Sequence, residues 1–122
     1  MLLQYWIDFI TSNNLVDREM SISELNDQSG VGAEFGFLTE EQSVDEATNF
    51  WPGIGVFGDG FVPVCECLIG SGDYYYINMR DGSDGPLYRI YHDTVHEDGY
   101  DAKQAITVVL SNYNDILLHA QS

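Results

Sequence analysis

Asp73, His92, Asp93 and His96 are the side chains whose types and spacing first suggest chemistry: two carboxylates and two imidazoles in one short stretch. Such a set can bind a divalent metal or divide general-acid and general-base roles. The bland alternative is favoured. Asp73 follows Gly72 in a tight turn that its carboxylate can close, and His92 and His96 are then ordinary residues at a sheet end. Arg80-Asp81-Gly82-Ser83-Asp84-Gly85 faintly resembles a calcium loop, but counting twelve positions from Asp81 reaches His92 instead of an acid. A plain hairpin loop is expected there. Cys65 and Cys67 lie two apart in a strand-like run. An extended backbone holds them ~6.5–7 Å apart, beyond the usual reach of a disulfide. No second Cys/His pair completes a zinc set, so two free thiols are expected. No Gly-x-Ser-x-Gly elbow occurs, and the glycine-rich segments carry no phosphate-cradling lysine. The expectation is a chain without catalytic residues, metal or cofactor.

The tyrosines remain. Tyr74, Tyr75, Tyr76, Tyr88 and Tyr91 occupy two runs with strand composition. Side chains alternate along a strand, so about half of them point away from any one core. Exposed tyrosines rimmed by carboxylates suit a protein interface. The competing arrangement covers both sheet faces with helices and loops.

These residues need elements to position them. Leu2, Leu3, Trp6, Phe9 and Ile10 recur at helical spacing and predict a helix over 2–12, stopped at Asn13-Asn14. A short strand is expected within 15–22, then a weak helical turn capped by Ser23. The glycines of 28–42 obscure that segment. Ser43-x-x-Glu46 reads as a capping box opening a helix to about Phe50, ended by Trp51-Pro52-Gly53. Strands are predicted at 54–57, 62–68, 73–79 and 87–91, the last three as an antiparallel meander. A loop over 94–101 and extended chain at 106–109 follow, and Ser111 caps a final helix. The fold class is α+β, with an antiparallel meander flanked by N- and C-terminal helices, in one domain over 1–122.

Composition narrows the function. Apolar residues form 44% of the 122 residues and aromatics 13%, enough for one core. Twenty Asp and Glu against four Lys and Arg give a net charge of −16. Such a chain repels nucleic acid and anionic membranes. It attracts basic proteins, although acidity also serves solubility alone. No apolar run is long enough to span a bilayer and the N-terminus lacks the pattern of a signal peptide, so a cytoplasmic protein is the default.

The order of several short motifs over 51–118 resembles the SUKH superfamily of bacterial toxin-immunity proteins and fungal cell-wall-assembly regulators. Trp51-Pro52-Gly53-Ile54-Gly55 is similar to the family's entry to its sheet, and Gly72-Asp73 with Tyr74-Tyr75-Tyr76-Ile77 to its central strand. Gly85-Pro86-Leu87-Tyr88 and His92-Asp93 resemble the next strand and its exit, and Leu110-Ser111-Asn112-Tyr113 the terminal helix. Asn78 stands where the family carries an acid. The family's leading helix has no counterpart before Tyr5: either the gene start lies upstream or, as is expected here, the helix is absent. Its absence is expected to bare apolar surface that a homodimer would cover.

The resemblance implies a non-catalytic binding module, an immunity protein that occludes a basic nuclease or deaminase toxin. An intracellular scaffold of the same fold is the alternative, and a metal-dependent enzyme ranks below both. The partner-binding residues expected are Tyr75 and Tyr91, as anchors, with Asp81, Asp84, Asp93, Glu97 and Asp98 from two acidic loops. Gly72, Asp73, Gly85, Pro86 and Ser111 are expected to be structural.

Overall fold

The computed structural model describes residues 2–122. Helix α1 (Gln4–Ser12) buries Trp6, Phe9 and Ile10, the stripe that the spacing predicts. Asn13 donates its side-chain amide to the Phe9 carbonyl at 2.8 Å, and Asn14 takes the left-handed conformation at φ 56°. Asparagine tolerates that conformation, so the helix stops there.

Six strands form one antiparallel sheet in simple chain order: β1 (Glu19–Ile22), β2 (Ala33–Phe37), β3 (Phe61–Cys67), β4 (Tyr75–Asn78), β5 (Leu87–Ile90) and β6 (Ile106–Leu110). The predicted meander is therefore present, as β3–β5. Strand β2 emerges from the glycine-rich segment because Ala33, Phe35 and Phe37 alternate inward against Cys65 and Tyr75. A bulge in β3 between Pro63 and Cys65 places both Val64 and Cys65 in the core.

Three local expectations are corrected. Helix α2 (Glu40–Asn49) begins one turn earlier than Ser43, at a capping box of Thr39 and Gln42. The Gln42 N–H donates to Thr39 Oγ1 at 3.1 Å, and the Thr39 N–H to Gln42 Oε1 at 2.9 Å. Ser43 lies inside the helix, buried, and donates to the Pro63 carbonyl at 2.7 Å. Residues 54–57 are not a strand: helix α3 (Gly53–Val56) runs into a 3-10 turn, Phe57–Asp59. A short apolar run does not by itself distinguish strand from helix, and here packing on α2 decides. Ser111 does not cap the last helix, which is a 3-10 turn (Tyr113–Asp115) followed by α5 (Ile116–His119). Asn112 takes the capping role, accepting from the Asn114 N–H at 2.8 Å, while Ser111 Oγ accepts from Gln28. The turn at Ser23 stays a turn.

Both sheet faces carry cores. On one, α1 and α5 cover Phe35, Val64, Tyr75, Ile77, Leu87 and Val109. On the other, α3, Val95 and Ala105 of helix α4 (Ala102–Ala105) enclose Tyr76 and Ile90, with Phe61, Tyr74, Tyr88 and Tyr100 packed around them. Of the two arrangements open for the tyrosines, the covered one holds for β4. No helix among the described residues is long and apolar enough to cross a membrane.

Candidate protein interface

Large apolar side chains are exposed at several places, Leu25 and Leu118 most of all, and the corner joining α2 to α3 is the stretch that gathers four of them, three of them aromatic. Phe50, Trp51, Ile54 and Phe57 stay between 38% and 50% exposed within eight residues. Two glycines shape this corner. A Cβ on Gly53 would overlap the Glu46 carbonyl oxygen and come within 2.9 Å of its carbon, so only glycine lets α3 lie this close to α2. A Cβ on Gly55 would sit 2.5 Å from Trp51 Cζ3 and 2.7 Å from Val95 Cγ1. The Trp51 ring therefore rests on Gly55 against Val95, with its remaining surface open. The Trp51–Pro52 peptide bond is cis.

Beside Trp51 runs an open groove of about 700 Å³. Trp51, Phe61 and Ile106 give it apolar walls; Asp59, Glu97 and Tyr100 give it polar ones. Tyr100 donates to Asp59 Oδ2 at 2.5 Å, and burial together with that carboxylate pushes its phenol up to about 12. Arg80, also on the groove, donates to the Gly58 carbonyl at 3.1 Å. Neither Asp59 nor Glu97 has a cationic partner among the described residues.

The acidic residues singled out in the sequence divide between two places. Glu97 lines the groove, and Asp93 and Asp98 are exposed on the same connection between β5 and β6. Asp81 instead accepts from the Tyr88 hydroxyl at 2.9 Å, and Asp84 accepts from Asn114 near the C-terminal segment. Tyr91 is half-buried at the exit of β5. Tyr75 is fully buried, which corrects its expected role as an exposed anchor: its ring packs on Phe35 and its hydroxyl accepts from Arg89 at 3.4 Å.

The Asp73 carboxylate does not close its own turn, where the Ser71 hydroxyl accepts the Asp73 N–H at 3.3 Å; it reaches His92 instead. Its Oδ1 accepts the backbone N–H of His92 at 2.9 Å, and His92 Nδ1 lies 2.6 Å from the same oxygen. The carboxylate thus ties the start of β4 to the exit of β5. Asp93 and His96 do not join them, and no three His, Cys, Asp or Glu side chains among the described residues converge as a metal set. Gly72 is in the left-handed turn before Asp73, at φ 76°. The Gly85 carbonyl accepts from the Tyr113 N–H at 2.8 Å, and Pro86, half-buried, leads into β5.

Cys65 and Cys67 are both free. Burial raises the Cys65 thiol well above its ordinary range. Burial also acts to raise Cys67, but the Ser71 hydroxyl at 3.0 Å and the amides of the 69–72 turn outweigh it and leave the thiol lowered.

Sequence reasoning missed Phe50, Trp51, Ile54 and Phe57 because Trp51-Pro52-Gly53 read as punctuation and 54–57 as a strand. The available signal was four bulky apolar residues crowded among glycines that could not all share one short strand face. No family model, curated protein or solved structure matches the chain.

Proposed function

We propose that this chain is a non-catalytic protein-binding module, and that the α2–α3 corner with its acidic flank is the surface it offers. The observation that carries this reading is that Phe50, Trp51, Ile54 and Phe57 stay half open to solvent within eight residues, with Trp51 on the groove that Asp59 and Glu97 also line. Contiguous exposed apolar groups with a charged rim are the composition of an interface. The partner is a basic protein. The net charge is −16, and one of the four cations, Arg89, is buried against Asp27, so the outward field is strongly negative. The order of the motifs over 51–118, which resembles that of SUKH immunity proteins, makes a basic toxin the partner class, with the corner occluding it.

The test is association with the product of a neighbouring toxin gene. Ile54→Ser and Phe57→Ser should mainly speed dissociation, because they remove apolar area from a contact that is made last. Raising salt should slow association, since charges act over ~8 Å at physiological ionic strength. Binding that ignores both corner substitutions would overturn the assignment of the surface. Capture of a host protein through the same corner, with no affinity for the toxin, would make the chain a scaffold.

A further inference from the structure

We propose that the groove beside Trp51 receives an arginine side chain of the basic partner. This rests on the binding reading above and names the chemistry of its central contact. Three features of the groove converge on a guanidinium. First, Trp51 lines the groove and is 42% exposed, with its six-membered ring lying against Gly55, so it offers open aromatic surface there. Guanidinium groups stack on such planes, tryptophan best of all. Second, Phe61 and Ile106 supply apolar wall against which the methylene stem of a long cationic side chain lies. Third, neither carboxylate on the groove forms an ion pair among the described residues, although Arg80 lines the same groove. Asp59 commits Oδ2 to Tyr100 and leaves Oδ1 unbonded, and Glu97 has no hydrogen-bond or ion-pair partner among the described residues.

Arg80, the one arginine already on the groove, is occupied at the Gly58 carbonyl and pairs with neither acid. A guanidinium entering between Trp51 and Glu97 would meet both a ring face and a carboxylate that can accept two parallel N–H bonds. An ammonium satisfies the charge but lacks the plane that stacks, so arginine is preferred over lysine.

The experiment is an amide-resolved NMR titration of the intact chain with three probes: Nα-acetyl-arginine amide, its neutral isostere Nα-acetyl-citrulline amide, and Nα-acetyl-lysine amide. The arginine probe should give saturable shifts at the Trp51 indole N–H and at the amides of Gly99 and Tyr100. The citrulline probe should bind about tenfold more weakly, having lost the charge that both the ring and the carboxylate recognise. Glu97→Gln, on an exposed loop where folding is not at stake, should weaken the arginine probe severalfold. Equal responses to arginine and citrulline, shifts spread over every acidic loop, or indifference to Glu97→Gln would each overturn the proposal. Tighter binding of lysine would overturn the arginine assignment. If the toxin's binding is lost on Ile54→Ser but unchanged by Glu97→Gln and Asp59→Asn, the arginine site fails and the docking surface stands.

Discussion

Arg89 and Asp27, 62 residues apart in sequence, form a buried ion pair at 3.0 Å, with 3% and none of their side chains exposed. The guanidinium also donates to Ser29 Oγ at 2.6 Å and to the Gly32 carbonyl at 2.8 Å, and lies 5.2 Å from the centre of the Tyr75 ring. Asp27 Oδ1 in turn accepts from the N–H and hydroxyl of Ser29. One side chain of β5 thereby holds the whole 27–32 connection against the sheet. Asp27→Ala leaves a buried, unpaired guanidinium and should cost about 3–5 kcal/mol. Replacing both partners together by apolar residues should cost less than the Asp27 change alone. Urea denaturation of the three proteins checks the ordering.

Gly53→Ala should destabilise by about 3 kcal/mol, although alanine is the better helix former. Its methyl would meet backbone atoms of Glu46, which cannot rotate away. Gly55→Ala should also destabilise, by about 1–3 kcal/mol: half-exposed Trp51 can swing away from the added methyl, but buried Val95, whose Cγ1 it would meet at 2.7 Å, cannot. Denaturation midpoints give the two costs, and a changed Trp51 emission should accompany only the second.

Asp73→Ala removes the acceptor of the His92 N–H and the neighbour of its imidazole, and should cost about 1–2 kcal/mol. The loss should be local at first. Hydrogen exchange of the His92 amide should accelerate more than that of Ile77 in the middle of the sheet. Uniform acceleration of both would remove the cross-strand role of Asp73.

Under native conditions a thiol reagent should modify Cys67 and spare Cys65. Cys65 is enclosed and its thiol raised by burial, whereas Cys67 is half-buried and lowered by the Ser71 hydroxyl and turn amides. The thiolate is the reacting form, so labelling of Cys67 should be appreciable below the pH at which an ordinary thiol ionises. Ser71→Ala should slow it. Peptide mapping after a short pulse of iodoacetamide reads both results.

Tyr88 and Tyr100 are each pushed up to about 12 by burial and by the carboxylates of Asp81 and Asp59 to which they donate. An unfolded tyrosine ionises near pH ~10. Below that value both states hold the proton and stability is unaffected. Between about 10 and 12 the unfolded chain releases protons that the folded chain retains, so stability falls as pH rises. Denaturation at stepped alkaline pH should show this loss, and Asp59→Asn should shift the Tyr100 phenolate absorbance to lower pH.

Much of this architecture is legible without coordinates. The spacing of Trp6, Phe9 and Ile10 specifies a helix face, Asn13-Asn14 its end, and the turn-bounded runs around Tyr74–Ile77 and Leu87–Ile90 a meander. Each is a local signal, set by a few adjacent residues and their preferred backbone angles. The cap of α2 was harder, because Thr39-x-x-Gln42 and Ser43-x-x-Glu46 both fit one pattern four residues apart. Only the packing of Ser43 beneath Pro63 separates them.

The sequence by itself determined the fold class, the net charge of −16, and the placing of both thiols on one strand. Tertiary structure alone decided which tyrosines are covered, since period-two alternation marks two faces without saying whether either meets solvent. It also decided that Arg89, one of only four cations, spends its charge inside on Asp27. And it decided that Phe50, Trp51, Ile54 and Phe57 stay open. Exposure depends on what other segments come to lie over a side chain, and those segments can be distant in sequence, as Val95 is from Trp51 where the two meet at Gly55.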